Sequence, residues 1–588
     1  MILHKLCEYY DRIVDDPNQE IAAPGFAPQN VGFEVLLNED GTLHSLQDIR
    51  DSSGKKPTNQ VYELPYSGKR ANGIAAMFLW DKPEYLLGWV PTELATTPNN
   101  ESEQEAKKRG TKIDRISECF EASKILHSEI AEKIHSSEFQ CVKRFFDYWK
   151  PTFLTSEHQE FLANIGTGFG VFRVVAYKNY LHQIPEVRDF WMANQGATSD
   201  SDIEGTCLIS GRSATLARLH PAIKGVRDAQ SSGASIVSFN DDAFTSYGKK
   251  QSYNAPVGQE SAFKYATSLN RLLERDSSRK LQVGDTTCVY WSDTPSQAED
   301  LFGFSLNSDQ FEDESRANEI GNSLKRLASG EADFPDSDVG FNVLGLSPNA
   351  SRLSIRFWIS GTVSEILGKA LAHQTRMEIV RSPKDQPWLP LWLILAQTAR
   401  ETKEVQPLLG GAILRSILTG GRYPESLLSA VLRRIRADRV INYPRAAIIK
   451  AVLCHNFNKD ITTMLNPNRT EASYQLGRLF AALEKCQEDA LPGLNATIKD
   501  RYFGAASSTP ASVFPRLIRM SQHHIGKLEG GKKINAEKRS QEIVGHIETF
   551  PSHFGLVDQG LFAIGYYHQR QSFFTKKDPE QAELQSVK

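Results

Sequence analysis

The hydrophobic pattern changes period near residue 360, which limits the chain to folds in which strands precede helices. Leu353, Ile355, Phe357 and Ile359 recur at every second position, the spacing of a half-buried strand. From about Thr362 onward apolar residues fall at helical spacing instead. Upstream, strand-like runs occur at Val31–Leu37, Thr42–Leu46, Val171–Tyr177, Cys207–Ser210, Ser235–Phe239 and Thr287–Trp291. The expected fold class is an α+β N-terminal region followed by an all-α C-terminal helical bundle, divided as residues 1–375 and 376–588. A chain of 588 residues is too long for one core, and 40% hydrophobic with 24% charged residues describes an ordinary globular protein.

Local signals refine the N-terminal part. The turn Asn38 to Gly41 joins the first two runs as a hairpin. The polar stretch Thr96–Thr111 reads as a surface loop, and after Asp114 as N-cap, Ile116, Cys119, Phe120, Leu126, Ile130 and Ile134 mark an amphipathic helix. Gly166, Gly168 and Gly170 mimic a dinucleotide loop, but a strand-like run follows where a helix N-terminus is required, so they predict a turn.

Several functional classes lack support. The most apolar short run, Trp388–Ala396, is far below the roughly 20 residues a membrane helix needs. The first residues lack the basic head and long apolar stretch of a leader, so a cytoplasmic location and no membrane partner are expected. Seven scattered cysteines contain no C-x-x-C pair and are expected as reduced, mostly buried thiols. Cys454 beside His455 is a poor thiol–base pair, because adjacent side chains rarely face one substrate. Asp200, Asp202 and Glu204 lack the remaining ligands of a calcium loop, and His523 with His524 sits on an expected helix without further metal ligands. No phosphate loop, H-E-x-x-H or G-x-S-x-G string occurs. No catalytic residue, metal or cofactor is expected.

Charge is more informative. Thr206–Glu274 carries eight basic against five acidic residues in a chain of net charge −3. Within it, Ser238–Pro256 places Asn240, Gln251 and Asn254 with Lys249 and Lys250 among Phe244, Tyr247 and Tyr253. Amides suit base edges, lysines phosphates and aromatics base faces. On composition alone the same residues better suit a turn-rich loop whose amides satisfy its own backbone and whose lysines are solvated. Arg415–Lys450 holds eight basic residues against two acidic, with Arg433 and Arg436 on one helical face. That face fits phosphates, solvent or an acidic protein partner. A third stretch, Ser67–Gly73, places Lys69, Arg70 and Asn72 in an exposed turn after Tyr62 and Tyr66.

The run ARLHPAIKGV at Ala217–Val226, followed by SFNDDAFTSYGKKQSYNAP, resembles the large subunit of the type I-C CRISPR surveillance complex, Cascade. Ala71–Gly88, Gly421–Lys450 and Glu471–Pro515 agree with it, so the resemblance spans nearly the whole chain. It implies a subunit without an active site at one end of a crRNA-bound assembly. That subunit detects the protospacer-adjacent motif on double-stranded DNA, assists strand opening and recruits a helicase-nuclease, while guide pairing reads the remaining sequence. The implied partners are the crRNA-bound backbone and end subunits, a small subunit, target duplex DNA and the helicase-nuclease. By composition, Lys69, Arg70, Asn72, Asn240, Lys249, Lys250, Gln251, Asn254, Arg433 and Arg436 are the candidate DNA-binding residues. The resemblance also implies that the part from about residue 464 is like a small subunit, with Met464 a candidate internal start. A protein scaffold without DNA contact and an unrecognised nuclease are the alternatives.

Overall fold

The computed structural model describes residues 1–14, 16, 21–52, 57–66, 73–97, 102–166, 168–194, 203–310 and 313–574. They form two compact units, Met1–Ile223 with Ser235–Arg271, and Lys224–Ala234 with Leu272 onward.

The first unit is built on a long strand, β1 (Phe26–Leu37), which pairs antiparallel with β2 (Leu43–Asp48) through its second half and with β3 (Gln60–Pro65) through its first. On its other side β1 runs parallel to β5 (Phe169–Val174), and the short β4 (Trp80–Asp81) closes the order β2-β1-β5-β4. The β1–β2 connection is the expected hairpin: Asn38 N–H donates to the Thr42 carbonyl at 2.9 Å. Gly41 turns it with φ +88°, a conformation that L side chains rarely adopt, while packed against the backbone of Phe145. One sheet face buries Phe33, Val35, Leu37 and Phe172 against Phe139, Phe145 and Phe146 of the helix Ser137–Tyr148. Glu34 is also buried, and Arg173 compensates its charge with two hydrogen bonds at 2.7 and 3.0 Å.

Four local expectations change here: the loop over Thr96–Thr111, the N-cap at Asp114, which lies inside a helix, and the strands over Cys207–Ser210 and Ser235–Phe239. The helix Glu103–Ala131 begins inside the stretch expected to be a loop. Ser102 and Glu105 form a capping box: the Ser102 N–H donates to the Glu105 carboxylate at 2.9 Å, satisfying the helix start despite its polar composition. Cys207–Ser210 is not a strand but the turn joining β6 (Glu204–Thr206) and β7 (Ser213–Thr215), and Ser235–Phe239 does not form a strand either. In both, β-forming residue types have no neighbouring strand to pair along their length.

The second unit begins with the antiparallel sheet β11-β10-β9-β8, made of β8 (Lys280–Val283), β9 (Thr286–Ser292), β10 (Gly340–Asn349) and β11 (Arg352–Thr362). Leu353 and Phe357 on the edge strand β11 are buried as their spacing predicts, whereas Ile355 lies beside a register irregularity and is exposed. The change of period is a physical junction. Thr362 ends β11 and caps the helix Val363–Met377, its side chain accepting from the Glu365 N–H. After it, the described residues form helices and no further strand, in agreement with an α+β region followed by a helical one. One continuous apolar core runs from Leu281 on β8 to Tyr567 on the last helix. In that core the helices Ala472–Ala490 and Leu556–Ser572 touch backbone to backbone. A methyl on Gly477 would strike the Phe562 carbonyl, and one on Gly565 the Tyr474 carbonyl. Among the described residues no helix is long and apolar enough to cross a membrane.

Candidate nucleic-acid interface

Three basic stretches were candidates, and the structure treats them differently. Lys69, Arg70 and Asn72 lie outside the described residues. The chain on either side of them is firmly held. Tyr66 N–H donates to the Gly25 carbonyl at 2.7 Å, and the indole N–H of the buried Trp80 donates to the Pro65 carbonyl at 2.5 Å. Leu79 adopts φ 65°, unusual for a branched side chain, and its N–H donates to Nε2 of buried His127 at 2.9 Å. Nδ1 of the same ring faces the Ser123 carbonyl at 2.7 Å, so the neutral imidazole uses both nitrogens. Burial pushes the His127 pKa down to about 4, which keeps the ring neutral and able to accept.

The loop from Ser238 to Pro256 contains two short 3₁₀ turns, Asp242–Phe244 and Gln251–Asn254. Its amides divide sharply. Asn254 is consumed internally: its Oδ1 accepts the Ser246 N–H at 2.8 Å, and its Nδ2 donates to the Lys249 and Gln251 carbonyls, each at 2.9 Å. Gln251 accepts from the Arg218 guanidinium at 2.7 Å, and the Ser252 N–H donates to the Arg218 carbonyl at 3.2 Å. Arg218 thus braces the loop from 33 residues away in sequence. Asn240, Lys249 and Lys250 are exposed. The side chain that projects furthest is Tyr247, 99% exposed, with φ 52° beside Gly248 at φ 70°. The loop therefore presents a ring and two lysines on a tightly braced base, with Asn254 as brace.

The arginine-rich helix Glu425–Asp438 is less free than its charge count suggests. Arg434 and Arg445 both pair with Asp438, Arg436 donates to Gln559, and Arg439 lies 3.8 Å from Asp500. Lys450 is buried, donating to the Arg376 carbonyl at 3.2 Å. Arg433 and Arg436 are exposed on the same face, as their spacing predicts, and Leu427, Leu428, Val431, Leu432 and Ile435 form the buried side.

Other sites carry less. Asp200 and Asp202 lie outside the described residues. None of the seven cysteines forms a disulfide, and six of them are buried. Nε2 of His455 faces the Gly421 carbonyl at 2.8 Å. Burial alone would raise the Cys207 thiol. A hydrogen bond with the Ser261 hydroxyl and others from the Gly258 and Ser210 N–H groups outweigh it and bring the pKa down to about 7. A pocket of about 300 Å³ beside Leu428, Val452 and Phe457 offers one ionisable group, Glu425. Among the described residues, no three His, Cys, Asp or Glu side chains converge as a metal site.

The model of a family described as CRISPR-associated protein (Cas_Csd1) matches residues 6–574. No curated protein matches the chain.

Proposed function

The chain belongs to the Cas_Csd1 family of CRISPR-associated proteins, and from that membership we propose that it is the non-catalytic large subunit of a crRNA-guided type I-C Cascade in the cytoplasm. In this reading it recognises the protospacer-adjacent motif on duplex DNA, assists strand opening into an R-loop and recruits the helicase-nuclease. Guide pairing supplies the remaining specificity. Its partners are the crRNA-bound backbone and end subunits, a small subunit, the target duplex and the helicase-nuclease.

The observation that carries the reading is the family match over nearly the whole chain. The braced loop supports direct DNA contact, because Tyr247, Lys249 and Lys250 present an exposed aromatic face and two exposed cations. Lys69, Arg70 and Asn72 are the proposed motif readers. Asn240 and Gln251 border the second contact, and Arg433 and Arg436 provide a phosphate-binding face.

Target-plasmid degradation tests the assignment. The assembly with this chain and the helicase-nuclease should degrade a plasmid carrying the motif, and omission of this chain should abolish degradation. Cleavage by this chain alone with a divalent cation would contradict the non-catalytic role. Unchanged degradation without it would contradict recruitment.

A further inference from the structure

We propose that Tyr247 is a stacking residue that holds one unpaired base of the target DNA, an inference that rests on the DNA-binding reading above. The ring is almost entirely in water, which gains the isolated protein nothing from an aromatic side chain. The backbone beneath it is costly to hold. Tyr247 and Gln251 both lie in the left-handed region, with φ 52° and 49°, where a residue other than glycine is disfavoured. That conformation is enforced by Asn254, which bonds to the backbone of Ser246, Lys249 and Gln251, and by Arg218. The result is a braced backbone under a fully presented ring, so covering the ring orders its side chain but little of the loop beneath it.

The chemistry around the ring selects its occupant. Lys249 and Lys250, two and three residues further on and exposed, are placed to meet a phosphate backbone beside the ring. A base inside a duplex already has both faces stacked, so a protein ring can meet a base face only where the helix ends or a base has left the stack. The engaged base is therefore an unpaired one, as at the first opened positions beside the recognised motif. Every base has a π-face, so the contact stabilises opening without reading sequence. This separates Tyr247 from the proposed motif readers Lys69, Arg70 and Asn72.

The test uses the complete crRNA-guided assembly with wild-type chain, Tyr247→Ala and Tyr247→Phe. Each is measured on a fully paired target and on the same target mismatched at the first positions beside the motif, with 2-aminopurine placed there. Because the side chain is exposed, the Ala variant should fold and assemble at unchanged stoichiometry. Tyr247→Ala is expected to weaken binding to the paired target by about tenfold or more, while Tyr247→Phe stays near wild type. Pre-mismatching should restore most of the loss in the Ala variant, and 2-aminopurine should be quenched by the wild type and Phe variant only. Equal binding and quenching by all three proteins would overturn the proposal. So would an equal loss on both targets with no change in 2-aminopurine, since the ring would then touch a protein or the intact duplex. A wild-type assembly whose binding ignores this chain would overturn the DNA-binding reading itself.

Discussion

Asn254 and Lys249 sit five residues apart in one loop and do opposite work. The Asn254 amide holds three backbone groups, each such bond contributing about 0.5–1.5 kcal/mol net. Lys249 instead leaves its side chain in solvent. Asn254→Ala should therefore disorder the loop, and hydrogen exchange at the Ser246 amide should accelerate by tenfold or more. Lys249→Ala should leave that exchange unchanged and reduce the salt dependence of DNA binding by about one unit of log–log slope. Unchanged exchange in Asn254→Ala would remove Asn254 as the brace. The chemistry of each residue type was legible in the sequence, but its engagement was not. The sequence leaves Asn254 open between a base contact and a bond to its own loop; the fold uses it for the second, and the Arg218 bond spans 33 residues that no local pattern connects. The exposure of Tyr247 depends equally on the fold, since the local run does not fix whether the ring is covered.

Elements were legible where their signals are local. The Asn38–Gly41 turn and the period change at Thr362 both appear as expected, because a turn glycine, a cap and a repeat each act within a few residues. The Ser102–Glu105 capping box was equally local but masked by the polar composition around it. Ser235–Phe239 failed for the opposite reason, since a strand needs a partner edge that the run itself does not specify. The crossing of Ala472–Ala490 with Leu556–Ser572 also depends on non-local contact. Its glycines could have been flexible points, yet the structure uses Gly477 and Gly565 as places where carbonyls of the facing helix enter. Gly477→Ala or Gly565→Ala should cost about 1–3 kcal/mol or more, as overpacking does, and lower the denaturant midpoint of the second unit. Gly110, whose Cβ would meet open space in a long helix, is the control: Gly110→Ala should be neutral or stabilising. Equal effects at all three sites would contradict a close helix crossing.

Four histidines are buried and a fifth, His220, is half-buried, all as neutral rings. Burial lowers the pKa of His127, His182 and His220 to about 4, and of His373 and His568 to about 3. Each folded value lies below the ordinary 6.5, so the unfolded chain binds more protons than the folded one between those values. Their contribution is complete above pH 6.5 and is lost as pH falls through 6.5 toward 4 and 3. The urea midpoint should therefore fall between pH 7.5 and pH 5.0, and an unchanged or higher midpoint at pH 5.0 would contradict neutral burial.

At the same scale, an overall charge of only −3 gives the chain no general field to attract DNA, so the DNA binding proposed for it would rest on local basic surfaces. The most direct measurement is the affinity of the crRNA-guided assembly, with and without this chain, for target duplexes varied at the flanking base pairs across a salt series. The expected result is motif-dependent binding that disappears without the chain, with a salt slope that shrinks when Lys249 and Lys250 become alanine. Binding indifferent to the motif, to the chain and to both lysines would contradict its role as the DNA-recognising subunit.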